Sequence, residues 1–343
     1  NEQVTRLHKR HAVVASGIIG NARVRARLLR ELDKAFDELR TLAHGVASLR
    51  ELTPRTKDFL VVRGEQLSAR LVVAGLLARG ANAEYVEAAT LIRTDGVFGG
   101  AFPDLVATDR EVRAQLRPLL KKRVFPVVPG FVGGTTDGAL VTLGRGGSDL
   151  TATMLGRALR AQRITLWKDV PGLMTTDPRL VPTARIVPQL NVREAAELAY
   201  YGAKVLHPRC IHPCREARVP IWIRDTERPH MAGTVIDHRA ATLAGVKAIS
   251  SRRGIVLVSM ETIGMWQQVG FLADVFAAFK RHGLSIDLIG SSETNVTISL
   301  DPSSNLINAD TLQLLCGDLA SVCRVKVIAP CAAITLVGRG IRS

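Results

Sequence analysis

Apolar positions between residues 22 and 48 fall on one side of a helix. Val24, Leu28, Leu32, Phe36 and Leu39 recur every three or four residues, with Arg, Lys, Asp and Glu between them. That period predicts an amphipathic helix. Thr53-Pro54 comes next, a capping hydroxyl and then a proline whose missing N–H is not needed in a first turn. A second helix is therefore predicted to start there and run to Ala78, before Gly80. Beyond it, residues 124–128, 139–143, 164–167 and 219–223 read as short buried strands, and 150–159 returns to helical spacing. Strand alternating with helix predicts an α/β sheet. Near residues 235–243 the pattern changes and a smaller unit begins. It reads as a strand at 254–260, a helix at 271–281, strands at 285–289 and 295–300, a helix at 311–319 and a strand at 322–328. This βαββαβ order is the ferredoxin-like arrangement. Residues 332–337 read as one more strand, expected to open a second such unit.

The chemistry is densest where residues 139–143 run through Leu143-Gly144-Arg145-Gly146-Gly147-Ser148-Asp149 into the helical stretch. Strand, glycine-rich turn and helix together place free backbone N–H groups and the positive end of a helix dipole at an anion. Arg145 can grip a carboxylate or phosphate with two parallel hydrogen bonds, and Asp149 can receive an ammonium group. The loop suits a zwitterion such as an amino acid beside a phosphate. An ordinary tight turn accounts for the same residues taken alone.

Three downstream segments narrow the choice. Lys168-Asp169-Val170-Pro171-Gly172-Leu173-Met174-Thr175-Thr176-Asp177-Pro178-Arg179 is the first. Glu194-Ala195-Ala196-Glu197-Leu198 and Tyr201-Gly202-Ala203-Lys204-Val205-Leu206-His207-Pro208 are the others. In order and spacing these resemble the aspartate kinases of the amino-acid kinase superfamily, from about Arg63 to the last residues. The resemblance implies a three-layer αβα amino-acid-kinase sheet domain over residues 1–244, incomplete at its N-terminus. A ferredoxin-like ACT domain over 246–329 and the start of a truncated second one over 330–343 would come after it. The family's opening Lys-Phe-Gly-Gly-Thr-Ser has no counterpart. The nearest segment, Ala15-Ser16-Gly17-Ile18-Ile19-Gly20, lacks the lysine. The chain is thus expected to begin after the family's first strands and to stop inside a second sensing module.

By the same resemblance, the expected reaction is phosphorylation of L-aspartate by ATP, with Mg2+ arriving on the nucleotide and lysine as inhibitor. A carboxylate is a competent nucleophile at neutral pH, so alignment and charge neutralisation are the whole task. Arg145 would pair with the α-carboxylate of aspartate, while Glu65 and Asp149 would receive its ammonium. Phe131 would pack beside the substrate, and Gly146, Gly147 and Ser148 would present backbone N–H groups. Lys168, Asp169, Met174 and Arg179 fall where the family contacts the nucleotide. Lys204 would neutralise phosphate charge, acting with Asp149 and Arg145 in catalysis. Lys168 and Met174 depart from the family, which usually has Thr or Ser and Tyr there. In the sensing module, Met265, Gly270, Phe271, Leu272, Asp287, Ser291, Ser292 and Glu293 would hold lysine, with threonine as the competing effector. A homodimer or tetramer through ACT domains is expected. Two other readings remain: a kinase for another amino acid such as glutamate, and a non-catalytic amino-acid-sensing subunit. Fusion to a homoserine dehydrogenase or a diaminopimelate decarboxylase is a further arrangement the family allows.

Bulk properties add limits. The chain has 343 residues, 47% hydrophobic and 22% charged, enough for two domains. A formal charge of +15 invites nucleic acid, but the basic residues are scattered and aromatics are only 4%, so no nucleic-acid or membrane partner is expected. The five cysteines, Cys210, Cys214, Cys316, Cys323 and Cys331, suit free thiols in a reducing cytoplasm. His207, Cys210, His212 and Cys214 have a spacing that fits no common zinc pattern, and no protein-held metal is expected.

Overall fold

The apolar stripe at residues 22–48 buries itself against two other helices. The computed structural model describes residues 2–201, 205–239, 244–262, 269–302, 305 and 307–341. In it α1 (Glu2–Ile18), α2 (Ala22–Leu49) and α3 (Pro54–Ala78) share a core of Ala15, Ile19, Leu28, Leu32, Phe36, Leu67 and Ala74. Each large side chain buried there contributes about 1.5–3 kcal/mol. α3 starts as its sequence dictates: the Thr53 hydroxyl accepts from the Thr56 N–H at 3.1 Å, with Pro54 in the first turn. α1 is a helix that periodicity did not reveal, because its packing face is partly polar. His8 stacks on Phe36 at 4.7 Å and His11 meets the same ring edge-on at 5.2 Å. Residues 15–20 therefore close a helix and pack into its core, rather than forming a phosphate loop.

The chain divides into two units, Asn1–Met174 with Arg185–Ala244, and Thr175–Ala184 with Gly245–Ser343. The first is α/β. It continues through β1 (Ala83–Tyr85), α4 (Ala88–Leu91), α5 (Leu105–Lys121), β2 (Phe125–Val127), β3 (Val132–Gly134) and β4 (Leu140–Thr142). Next come α6 (Gly147–Leu159), β5 (Ile164–Lys168), β6 (Gln189–Leu190), α7 (Val192–Tyr201), α8 (Ile211–Ala217), β7 (Ile221–Asp225) and β8 (Thr234–Ile236). β1 pairs parallel with β2, and β3 pairs antiparallel with β4. A four-stranded sheet runs in the order β5-β7-β8-β6, with β5 and β7 parallel. Ile164 and Leu166 of β5 are buried, and Ile164 lies against Gly156 of α6 so closely that a Cβ on Gly156 would sit 2.3 Å from its Cδ1. That contact packs the C-terminal half of α6 against the start of β5.

The second unit has the predicted βαββαβ order: β9 (Gly245–Glu261), α9 (Phe271–Arg281), β10 (Leu288–Ser291), β11 (Asn295–Leu300), α10 (Ala309–Leu319) and β12 (Arg324–Arg339). Its sheet order is β10-β11-β9-β12, antiparallel throughout. Val258, Met260, Val275, Phe279, Val296, Ile298 and Leu315 fill the space between sheet and helices. β10 starts later than the sequence pattern predicts because Asn305 takes over the ladder's work at Ser285. Its side chain accepts the Ser285 N–H at 2.6 Å and donates to the Ser285 carbonyl at 3.0 Å. Residues 332–337, read as a separate strand, are continuous with β12 and pair with the first half of β9, from Cys331 opposite Ile255 to Arg339 opposite Gly245. The register shifts between Ile328 and Cys331, where Pro330 has no N–H to give a ladder. Among the described residues no helix is long and apolar enough to cross a membrane.

Candidate active site

The loop joining β4 to α6 has only one shape open to it. Gly146 caps α6 with φ +69°, and a Cβ there would lie 2.4 Å from the Cβ of His207. Gly147 meets Phe131, whose Cδ2 would be 2.7 Å from an added Cβ. Only glycine allows both approaches. Phe131 itself has φ +69° and is held there by its backbone. Its N–H donates to Thr151 Oγ1 at 3.2 Å, its carbonyl accepts from the Leu143 N–H at 2.9 Å, and Thr151 donates back to the Gly147 carbonyl at 2.9 Å.

Around this loop lies a cavity of about 510 Å³, lined by Glu65, Phe131, Gly144, Arg145, Gly146, Gly147, Ser148, Asp149 and Lys168. Eight of the residues expected from sequence are thus in one place, drawn from α3, the β2–β3 connection, the β4–α6 loop and the end of β5. Their charges are disposed unevenly. Lys168 Nζ lies 2.8 and 2.7 Å from the two carboxylate oxygens of Asp149. Glu65 accepts a hydrogen bond from the Ser148 hydroxyl at 3.2 Å. Arg145 is exposed, and its guanidinium makes no ion pair or side-chain hydrogen bond with a described residue. The Gly147 N–H is turned to the Gly144 carbonyl at 3.0 Å. The cavity can therefore offer an anion a guanidinium with no partner among the described residues, and a cation the carboxylate of Glu65, with that of Asp149 beside it held by Lys168.

Other expected residues lie elsewhere. Asp169 and Met174 come after β5 and are not among the lining residues; Met174 bridges Ile186. Arg179 belongs to the second unit, where Asp177 holds its guanidinium at 2.7 and 3.0 Å. Lys204 and Met265 lie outside the described residues. In the second unit, Gly270, Phe271, Leu272, Ser291 and Ser292 line a cavity of about 470 Å³ at the start of α9. Asp287 and Glu293 do not line it; Asp287 is approached by Arg252 at 3.4 Å, and Glu293 is exposed in the β10–β11 turn.

Four residues that shape the site gave little sign of that role in the sequence. Asp58, on the buried face of α3, accepts from the Gly99 N–H at 2.8 Å, the Thr142 N–H at 2.8 Å and the Thr142 hydroxyl at 3.0 Å. Its signal was a carboxylate in helical step with Val62, which is fully buried. Arg209 donates to the carbonyls of Leu143 at 3.0 Å and Ala101 at 3.3 Å, bracing the loop from behind. His207 stands against Gly146, its pKa held below the usual value by burial and then by Arg209 and Arg145. Cys210 donates its thiol to the Gly146 carbonyl at 3.4 Å, and burial pushes its pKa up to about 12.

A strand, a glycine-capped helix and an Arg–carboxylate cavity agree with what comparison with known proteins shows. The model of the amino acid kinase family matches residues 2–225. Lysine-sensitive aspartokinase 3 of Escherichia coli is 36% identical over 310 residues, covering 90% of this chain and 68% of that protein. The chain belongs to the aspartokinase family. Chloroplastic aspartokinase 1 of Arabidopsis thaliana is 37% identical over 319 residues, covering 88% of this chain and 54% of its own length. The chain thus spans about half to two thirds of the curated relatives it matches. The crystal structure of E. coli aspartokinase III in complex with aspartate and ADP superposes with a TM-score of 0.80 and 35% identity, over 91% of this chain and 70% of that one. Family and fold make this the chain of a kinase, built as an amino-acid-kinase α/β unit followed by a ferredoxin-like unit of the ACT kind.

Proposed function

We propose that the protein phosphorylates the side-chain carboxylate of L-aspartate with ATP, under feedback control by lysine. One observation carries the reading: a single cavity joins Arg145, which has no ion-pair partner among the described residues, to the carboxylates of Glu65 and Asp149. That is the charge pattern of an α-amino acid, held by its carboxylate at one end and its ammonium at the other. The remaining carboxylate is then directed at the nucleotide. One of its oxygens bonds to the γ-phosphorus as the bond from phosphorus to the bridging oxygen breaks and ADP departs. No proton has to be removed from the nucleophile. The side chains have only to align the reactants and balance the charge on the moving phosphoryl group.

Lys168 supplies a cation at the carboxyl end of β5, and Lys204 supplies another by family resemblance. Among the described residues no set of three or more His, Cys, Asp or Glu side chains is gathered to hold a metal ion. Mg2+ enters this reading as the counter-ion of the nucleotide phosphates, and no residue is assigned to it. The domain division we propose is a kinase domain over 1–244, an ACT domain over 246–329 and the beginning of a second over 330–343. In this reading lysine would occupy the cavity at α9, which Gly270, Phe271, Leu272, Ser291 and Ser292 line. Asp287 and Glu293 would reach lysine across a pairing of ACT units, which makes the protein a homodimer or larger. Five cysteines, all free, favour a reducing compartment such as the cytoplasm.

The test is formation of acyl phosphate, trapped with hydroxylamine, by the full-length protein supplied with ATP and a panel of amino acids. Aspartate-dependent product suppressed by added lysine is the expected result. Product with glutamate and not with aspartate overturns the substrate, and activity indifferent to lysine overturns the effector.

A further inference from the structure

The end of β5 carries a lysine that the proposed chemistry calls to the phosphates but that the structure holds on a carboxylate. Lys168 Nζ bonds both oxygens of Asp149 at 2.8 and 2.7 Å, with the two side chains only 23% and 16% exposed. Asp149 is also the carboxylate that, with Glu65, would receive the ammonium of the amino acid. Two ammonium groups cannot share it without setting like charges side by side in a half-buried site. So Lys168 has to leave before aspartate can be held fully, and something must draw it away.

The geometry shows where it would go. The Lys168 backbone is pinned: its carbonyl accepts from the Thr226 N–H at 2.8 Å and the Thr226 hydroxyl at 2.9 Å. Only the four-carbon side chain can swing. β5 and β7 are parallel neighbours, with Lys168 opposite Asp225 at their carboxyl ends. In open α/β sheets, ligands bind in the crevice outside those ends. A polyphosphate placed there presents several negative charges to the ammonium, against the single charge of Asp149.

Resting on the kinase reading above, we infer that Lys168 couples the two ligands of the site. In the empty site it masks Asp149; when a nucleoside polyphosphate binds, it transfers to the phosphate oxygens and uncovers Asp149 for the ammonium of the amino acid. The nucleotide therefore prepares the amino-acid site. By linkage the effect is reciprocal, so bound aspartate strengthens nucleotide binding by the same factor. The residue is a positioning group for aspartate and a contact for phosphate.

Titration calorimetry on the full-length protein tests this, with aspartate added in the presence and absence of ADP, and the reverse. The wild type should bind aspartate about tenfold more tightly with ADP bound, within the ordinary range of coupling between sites. Lys168→Met should bind aspartate without ADP as tightly as the wild type does with it, bind ADP more weakly, and show a coupling factor near one. Lys168→Arg should keep the coupling. A lysine that only supports the fold predicts the opposite for the Met variant, weaker aspartate binding. That result overturns the inference, as does wild-type aspartate binding that ignores ADP. If the wild type binds neither aspartate nor ADP, the kinase reading itself falls and the inference falls with it.

Discussion

Asp58 offers the sharpest test of how the site is held. Its carboxylate is 2% exposed and accepts three hydrogen bonds, from the Gly99 amide, the Thr142 amide and the Thr142 hydroxyl. Asp58→Ala leaves the buried Thr142 amide without an acceptor, while the amide of the exposed Gly99 can turn to water and the Thr142 hydroxyl can rotate to find another partner. An orphaned buried donor costs about 1–3 kcal/mol, and the bond to the exposed Gly99 adds a smaller loss, so the substitution should destabilise the first unit by about 2–3 kcal/mol. That is a large share of the roughly 5–15 kcal/mol that holds an ordinary domain together. One carboxylate oxygen serves both amides and the other the Thr142 hydroxyl, so Asp58→Asn can keep its oxygen on the amides and turn its NH2 to the hydroxyl, which can accept; it should cost about half as much or less. The consequence reaches the cavity, because Thr142 ends β4 and Leu143-Gly144-Arg145 comes directly after it. The assay is urea unfolding monitored by the fluorescence of Trp167 and Trp222, both in the first unit, in a Trp266→Phe background. KM for aspartate is measured on the same proteins. If Asp58→Ala unfolds within about 0.5 kcal/mol of its parent, the carboxylate does not brace this loop and the reasoning fails.

Arg145→Ala should lower kcat/KM for aspartate about a hundred- to a thousandfold, two charge-assisted hydrogen bonds being lost. Its melting temperature should not change, since the guanidinium has no partner among the described residues; equal kcat/KM for both proteins would remove Arg145 from the site. Gly147→Ala sets a Cβ 3.1 Å from Phe131 Cα and 2.7 Å from its ring, so the backbone at Phe131 must move. We expect a loss of about 1–3 kcal/mol in stability and a raised aspartate KM, and wild-type values for both would show that the loop can flex. His207 should make stability depend on pH. Its folded pKa lies below the usual 6.5, so the unfolded chain takes up its proton first as pH falls. The stability from its neutral form is therefore complete above pH 6.5 and is lost as pH drops through that value, levelling off below the folded pKa. Urea midpoints from about pH 7.5 to about 5.5, a window spanning that transition, should fall less in His207→Gln than in the wild type, and parallel profiles would refute this.

The sequence made legible what repeats or punctuates. α3 begins at the proline and ends at the residue that capping and periodicity predict, and α9 and β11 match their predicted bounds. The motif loop was legible because its glycines, arginine and carboxylate have few other uses together. What escaped was whatever depends on contacts distant in the chain. α1 was hidden by the histidines it packs on Phe36, since polar residues at core positions erase the hydrophobic period. β12 was divided at Pro330, because a proline reads as a break, although the strand resumes its pairing after a register shift. Arg209 stands 66 residues from Leu143 in the chain, and no local pattern announces that its guanidinium braces that carbonyl.

Lys168 shows why a matched motif and a built site are different kinds of knowledge. As letters, it is one departure in a run that otherwise resembles the aspartate kinases, and an exposed lysine at a strand end would be the simplest account. A lysine left in water keeps its full hydration and its many side-chain rotamers. Holding it in one geometry on a largely buried carboxylate gives up both, so much of the attraction between the charges only offsets the lost hydration and rotamer freedom. Here the pair sits inside the cavity, with Glu65 and Arg145 as the other charges, so its partner is also a residue the ligand needs. An ion pair of so little net worth is readily exchanged. A stronger anion can take the lysine and a second ammonium can take the carboxylate, each exchange making the other easier. The weakness of the pair is therefore what lets it relay the arrival of one ligand to the site of the other, and a lysine held more firmly could not.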